Sequence, residues 1–348
     1  MTKSNPGRFF EDFALGETIA HATPRTLTHG DVALNISLTG SRYALFCSEP
    51  LAQQCGLPHM PIDPLLVFHT SFGKSVPDIS LNAVANLGYA EGRFFEFVYP
   101  GDTLRASSEV IGLKQNSNGK SGIVTVRTRA VNQHGAPVLE YVRWVMVNKR
   151  DASARAPEEV APQFAPFVTA DKLWLSDRLH FDKYDWTLAG SPYAFEDYAK
   201  GERIDHVDGM TVEEAEHQLA TRLYQNTARV HFDALAKASS RFGRRLVYGG
   251  VAISLARSLA FNGLGNAALM LAINAGRHVN PLFAGDTLYA WSEVLDAVDL
   301  GAAGALRLRL VATKNQPCAA FPYKNGAGEY DPAVVLDFDY WAAIPKRT

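Results

Sequence analysis

Hydrophobic and polar positions along the chain fall into blocks that occur twice. In the first half, SEPLAQQCG has Ser48 where a helix would begin, Pro50 in the first turn and Gly56 at the stop, so it predicts a short helix. The next stretch, PLLVFHTSFG, is apolar on most helical faces and predicts a buried helix. TLRASSEVIGL, GIVTVRTRAV and VLEYVRWVMV then alternate or are β-branched, with turn residues such as NSNGKSG between them, and predict strands. The order returns in the second half. A short helix is predicted from Asp233 to near Gly243, then an apolar helix in GVAISLARSLAFNG, then strands in TLYAWSEVL, ALRLRLVAT and VVLDFDYWAAI. One apolar helix followed by several antiparallel strands predicts an α+β unit whose sheet curls around the helix.

Direct comparison of the halves makes the repeat explicit. FEDFALGETI at 10–19 and FEDYAKGERI at 195–204 share seven of ten residues, at an offset of 195 − 10 = 185. PGDTLRASSEV at 100–110 and AGDTLYAWSEV at 284–294 share eight of eleven, at 284 − 100 = 184. TLTHGD at 26 faces TVEEAE at 211 in the same register. A period this long is too large for a solenoid unit and implies two copies of one domain. Residues 150–168, RDASARAPEEVAPQFAPFV, have the Ala- and Pro-rich composition of a linker. Segment 171–190, DKLWLSDRLHFDKYDWTLAG, has no counterpart in the first half and is expected to wrap one domain or bridge both. The block 317–330, PCAAFPYKNGAGEY, also lacks a counterpart and is expected to be a loop between two strands. The expected division is 1–150, a linking segment 151–190, and 191–348.

Composition narrows the function classes. The 348 residues are 47% hydrophobic and 20% charged, with a net charge of −2, which lacks the basic excess of a nucleic-acid binder. The N-terminus has no apolar core of a signal peptide, and no apolar run approaches the ~20 residues needed to span a bilayer. Cys47, Cys55 and Cys318 have no metal-ligand spacing and suggest a reducing compartment. A cytoplasmic protein with no membrane partner is expected.

The most informative short stretch is YQNTARVHF at 224–232, which sets Asn226 five positions before His231. Other motifs fare worse. GLGNAA at 263–268 fits a dinucleotide-loop pattern but follows a helix instead of a strand, so it reads as a loop. Asp102 and Asp286 begin GDTL in both copies and read as shared turn residues. Glu216 and Asp233 read as helix residues, with Asp233 an N-cap.

This pattern resembles the MaoC-like, or hydratase-2, family of enoyl-CoA hydratases, which have the hotdog fold. The family motif is Asp-x-Asn-Pro-x-His, usually after Thr-Gly, followed by a short helix and an Ile-Ala-His-Gly approach to the central helix. TVEEAE resembles the family's lead-in. Asn226 falls at the Asp position, Ala228 at the Asn, Arg229 at the Pro and His231 at the His. LVYGG at 246–250 resembles the approach to the central helix, with Gly249 at the glycine. SLTGSRYALF at 37–46 matches the same motif in the first half, with Ser41 at the Asp position and Phe46 at the His. PGDTL with NQHG, and AGDTL with NQ, resemble the family's strands and turn. A tandem chain with a degenerate first half is similar to the mesaconyl-CoA (2-methylfumaryl-CoA) hydratases.

The resemblance implies a tandem, or double, hotdog that hydrates an enoyl-CoA thioester, with mesaconyl-CoA giving β-methylmalyl-CoA as the leading case. It implies an acyl-CoA as substrate and no other cofactor or metal. His231 would exchange protons with water near neutral pH. Backbone N–H groups of Gly249 and Gly250 would hold the thioester oxygen at the N-terminus of the central helix. Asn226 departs from the family's carboxylate. Mesaconyl-CoA carries a carboxylate on its β-carbon, and two negative charges about 4 Å apart repel by ~1–4 kcal/mol. An amide at 226 avoids that repulsion. Arg229 is the candidate partner for the substrate carboxylate, with Arg222 and Arg245 as competitors.

Three rival readings stand beside this one: a hydratase for another enoyl thioester, a hotdog acyl-CoA thioesterase, and a non-enzymatic CoA-ligand sensor built on degenerate hotdogs. The halves are expected to pair sheet edges within one chain, with a homodimer of such chains as a further candidate assembly.

Overall fold

The computed structural model describes residues 3–155 and 157–347; Met1, Thr2, Ala156 and Thr348, which fall in the expected domain and linker divisions, lie outside the described residues. The first half carries β1 (Thr18–Thr26), β2 (Ala83–Phe94), β3 (Thr103–Gln115), β4 (Ser121–Val131) and β5 (Pro137–Asn148). The second carries β6 (Arg203–Thr211), β7 (Leu269–His278), β8 (Thr287–Asp299), β9 (Gly304–Lys314) and β10 (Val334–Ile344). They form a single ten-stranded sheet in the order β1-β3-β4-β5-β2-β7-β10-β9-β8-β6. The two halves meet where β2 pairs antiparallel with β7, Tyr89 opposite Gly276 and Ala90 opposite Ala275. One chain thus closes the edge-to-edge pairing between two hotdog units.

A central helix fills each curl: Pro64–Ser75 in the first half and Gly249–Leu259 in the second. Every residue of the first helix is buried, as is all of the second beyond Gly249. One apolar cluster joins both, including Leu66, Phe68, Val251 and Ile253. His69 Nε2 lies 3.0 Å from the Ser254 hydroxyl, and these residues are 185 positions apart, so equivalent positions of the repeat touch where the helices cross.

The helices start differently. Asp63 caps the first, its Oδ1 accepting from Leu65 N–H at 2.7 Å, and Pro64 occupies the first turn. Tyr248 precedes the second with no side-chain cap, and two glycines open it.

Several local expectations hold. The short helix spans Glu49–Gln54 with the Ser48 hydroxyl capping Leu51 N–H. Asp102 and Asp286 play one turn role, accepting from Tyr99 N–H and Phe283 N–H. Asp233 caps Ala236 N–H, but its helix is only Ala234–Ala238, shorter than the predicted run to Gly243. GLGNAA runs from the end of the one-turn helix Phe261–Leu264 through a turn into β7, where the Asn266 amide donates to the carbonyls of Ser191 and Tyr193. Segment 171–190 packs Leu173, Leu175, Phe181 and Tyr184 onto the cluster of Tyr43, Leu45 and Phe46. Block 317–330 links β9 to β10 and lays Phe321 and Tyr323 against buried Trp291. Two helices of ten residues or more, His29–Thr39 and Glu214–Leu223, have no counterpart among the predicted elements, nor do the one-turn helices Trp186–Ala189 and Arg229–Phe232. Among the described residues, no helix is long and apolar enough to cross a membrane.

Candidate active site

The segment after Glu214–Leu223 cannot continue as helix, because Gln225 takes a positive φ of 54°. Asn226 follows and is 1% exposed. Its backbone N–H donates to Thr221 O at 3.1 Å, and its Oδ1 accepts from Ala228 N–H at 2.9 Å. That bond fixes which end of the amide is oxygen, since an N–H can only be answered by an acceptor. Asn226 therefore keeps its NH2 group as a donor. It is not a base.

The turn at Asn226 launches a one-turn helix, Arg229–Phe232, which carries His231. Nδ1 of His231 donates to Leu246 O at 2.9 Å. A carbonyl only accepts, so this bond selects the Nδ1–H tautomer and leaves Nε2 as a lone pair. Val230 O accepts from Leu246 N–H at 3.0 Å, locking the motif loop to the run before the central helix. Burial pushes the His231 imidazole down to about 4, and the neighbouring His217, His278 and Lys237 act in the same direction. His231 is neutral at pH 7.

Asn226, His231 and Gly249 line one cavity of about 330 Å³. Gly249 and Gly250 occupy the first turn of the central helix, where N–H groups have no intrahelical acceptor. A side chain at 249 would collide with the His278 ring, so glycine is what permits the close approach there. Gly250 is not part of the lining; its missing side chain faces Tyr248 and His69.

The structure does not bring Arg229 to the cavity: it is exposed and is not among the lining residues. Arg222 is likewise exposed, and Arg245 pairs with Glu214 at 2.9 Å and donates to Phe232 O.

Sequence reasoning missed the contribution of the first half. Phe72, Asn86, Tyr89 and Arg143 line the same cavity. Tyr89 hydroxyl and His278 Nε2 lie 3.2 Å apart, tying the two halves together at the site. Burial holds His278 near 4 as well. The signal for Arg143 was present in VLEYVRWVMV: it stands in phase with inward-facing Tyr141 and Val145, a charge on an apolar face. Val84 and Phe242, 56% and 41% exposed, also line the cavity and mark its opening to solvent.

A neutral imidazole with a free Nε2, an amide NH2 and open helix N–H groups together can hold a water, give and take its proton, and bind a developing oxyanion. The sequence pattern of the mesaconyl-CoA hydratase family matches residues 2–321. The chain is 61% identical to the β-methylmalyl-CoA dehydratase of Chloroflexus aurantiacus over 348 residues, covering 99% of each. It is 60% identical to the mesaconyl-CoA hydratase of Cereibacter sphaeroides over 346 residues, covering 99% of this chain and 100% of that one. A MaoC domain protein of C. aurantiacus superposes along the full length of both chains with a TM-score of 0.98 at 60% identity. A double-hotdog protein of Mycobacterium tuberculosis superposes with a TM-score of 0.78 at 28% identity, covering 97% of this chain and 98% of that one. The chain belongs to the mesaconyl-CoA hydratase family.

Proposed function

We propose that this enzyme reversibly hydrates mesaconyl-CoA to β-methylmalyl-CoA. What carries the reading is the shared cavity, since His231, Asn226 and Gly249 all line it. His231 Nε2 takes a proton from water as the water oxygen bonds to the β-carbon. The π electrons of the double bond shift toward the thioester, and the oxyanion that forms is met by helix N–H groups, with Gly249 the one at the cavity wall. The proton then passes from His231 to the α-carbon, the enolate collapses, and one water has added across one double bond. The Asn226 NH2 orients the water or the substrate by donation, and its lack of charge suits an acyl group that already carries a carboxylate.

The reading uses no metal or redox cofactor; CoA is part of the substrate. Free thiols at Cys47, Cys55 and Cys318 support a reducing, cytoplasmic setting. The test is loss of enoyl-thioester absorbance across a panel of CoA esters. Mesaconyl-CoA is expected to be hydrated faster than crotonyl-CoA. Faster hydration of crotonyl-CoA would assign the enzyme to another enoyl-CoA, and release of free CoA thiol would make it a thioesterase.

A further inference from the structure

The motif that supplies His231 lies in the second half, yet among the described residues the only Lys, Arg, Asp or Glu side chain lining the cavity comes from the first. That residue is Arg143, on β5, with 0% of its surface exposed. Its surroundings are unusual for a buried guanidinium. Nη2 donates to the Ser75 hydroxyl at 2.8 Å, and both terminal nitrogens lie 3.4 Å from the Ser80 hydroxyl. The guanidinium sits over the Phe72 ring at 4.3 Å. Nε has no partner, and among the described residues no carboxylate pairs with Arg143. Burial disfavours its charge, and the titratable groups that favour it are the hydroxyls of Tyr89, Tyr141 and Tyr248, whose pKa values burial raises so that they are neutral near pH 7; His21 also lies within its field. Arginine stays protonated in proteins, so this is a buried cation without a counter-ion.

Two further groups at the cavity await a partner. Both side-chain atoms of Asn86 and the hydroxyl of Tyr248 are buried without a hydrogen bond. Buried polar atoms are paired in nearly all proteins, and orphans at a cavity wall are groups that a ligand or a water entering the cavity would satisfy.

The second half has a different buried arginine for contrast. Arg257 gives Nη2 to the carbonyls of Ala267 and Ala268 and sits over the Tyr43 ring. Its Nη1 also lacks a partner, but Arg257 touches backbone acceptors and lines neither the His231 cavity nor the smaller apolar one. Aligning EYVRW at 140–144 with DFDYW at 337–341 puts Tyr340 where Arg143 stands, so the fold does not require an arginine at that strand position.

We propose that Arg143 is the anchor for the free carboxylate on the β-carbon of the substrate, so that the first half reads the acyl group while the second carries the proton chemistry. The inference rests on the hydratase reading above. A guanidinium answers a carboxylate with two parallel N–H···O bonds, and Asn86 and Tyr248 are positioned on the same wall to add donors. Fixing the carboxylate also fixes the β-carbon to which it is bonded, and so the face open to water. The CoA phosphates are the other anions of the substrate. They lie at the far end of a long pantetheine arm and belong at the solvent opening marked by Val84 and Phe242. A fully buried arginine serves the acyl end.

The experiment compares kcat/KM for mesaconyl-CoA and crotonyl-CoA in the wild type, Arg143→Met and Arg143→Lys. Methionine keeps the apolar contact with Phe72 and removes the charge. The expected result is a ~10²- to 10³-fold loss on mesaconyl-CoA, a far smaller loss on crotonyl-CoA, and partial recovery in the lysine variant, which restores charge without the fork. Equal loss on both substrates makes Arg143 a packing residue and overturns the proposal. A wild type inactive on both substrates defeats the hydratase reading instead, which separates the two failures. As a measurement independent of folding in the variants, wild-type inhibition by succinyl-CoA and butyryl-CoA is compared. Tighter binding of succinyl-CoA by at least about tenfold supports an anion site in the cavity; equal binding overturns it.

Discussion

The cavity at His231 has a twin. Applying the 185-residue offset to its lining leads to Ile62, Pro64, Val67, Phe94 and Phe95 in the first half, facing Leu269, Met270 and Leu271 of the second. These residues enclose only about 20 Å³, against about 330 Å³ at His231. The difference is polar chemistry exchanged for apolar volume. Phe46 stands for His231 and is 2% exposed, packed with Tyr43 and Leu45. Leu271 stands for Asn86 and Phe95 for Asn280. Trp174, from the segment peculiar to the junction, helps close the twin. The helix start is shut as well. Pro64 has no N–H, and the Asp63 carboxyl takes the Leu65 N–H that an oxyanion would need. Duplication thus left one half free to become filler and wall, and the filler keeps the sheet and central helix of the other.

The sharpest way to break this comparison is to remove the imidazole proposed as its proton carrier. His231→Gln should lower turnover by ~10²–10⁴ with little change in melting temperature, read by the absorbance assay and a thermal melt. Near-normal turnover would mean that the open cavity is not distinguished by this imidazole. The reciprocal variant, Phe46→His, should create no second site, because the twin keeps Pro64, Asp63 and almost no space.

Asn226→Asp sharpens the comparison with single-domain relatives of the motif. Aspartate would still accept from Ala228 N–H, but the NH2 donor would become a negatively charged oxygen facing the cavity. Hydration of mesaconyl-CoA should fall roughly 5- to 150-fold relative to crotonyl-CoA. The ratio cancels general damage to the fold. A constant ratio would show that charge at 226 has no part in selectivity.

Gly249→Ala tests the open helix start. The twin position carries Pro64, so the fold tolerates a side chain there, but at 249 the methyl would collide with the His278 ring. Moving that ring or the helix start should lower kcat/KM by roughly 10- to 100-fold, since small misplacements at reacting atoms are expensive. Gly250→Ala should instead appear mainly in stability, because its methyl would meet Tyr248 and His69 in the core. An activity loss in Gly250→Ala as large as in Gly249→Ala, with melting unchanged, would put the oxyanion contact at Gly250.

Much of this was legible in the chain. The repeat, the buried central helices and the strands after them follow from periodicity and from two long matches at one offset. His231 and Asn226, which line the cavity, were legible from a motif whose first-half copy lacks them. Other elements hid for physical reasons. β1 and β6 are the edge strands, exposed along much of their length and broken by register shifts, so neither alternates cleanly. Glu214–Leu223 is polar on most faces and resembled a lead-in to the motif, though acidic residues in its first turn signalled a helix start. Thr28 and Asp31 formed a visible capping pair for His29–Thr39. Arg229 was misplaced because spacing along a loop says nothing about which way a side chain turns. Arg143 was in view as a charge on an inward strand face, but its cavity is formed by residues from opposite halves, which only the β2–β7 pairing brings together.

The smallest expected effect is a flat line. His231 titrates near 4 in the folded enzyme because burial disfavours its charged form, against about 6.5 in an unfolded chain. Its base form is therefore fully present from about pH 5.5 to 8, and kcat/KM for mesaconyl-CoA should vary less than about twofold across that range. Below about 4 the rate should fall as Nε2 takes a proton and can no longer accept one from water. The same shift acts on stability. A histidine whose folded pKa is depressed contributes fully above 6.5, and the contribution is lost as pH falls toward 4, so the melting temperature should drop in that window before activity does. His278 shares the cavity and also titrates near 4, so the profile is to be repeated in His278→Gln. If His231 is the proton carrier, the acid limb survives in that variant even if the maximum rate is lower. An acid limb near 6.5 in the wild type would mean that the group taking the proton is solvated rather than buried, and would remove His231 from that role.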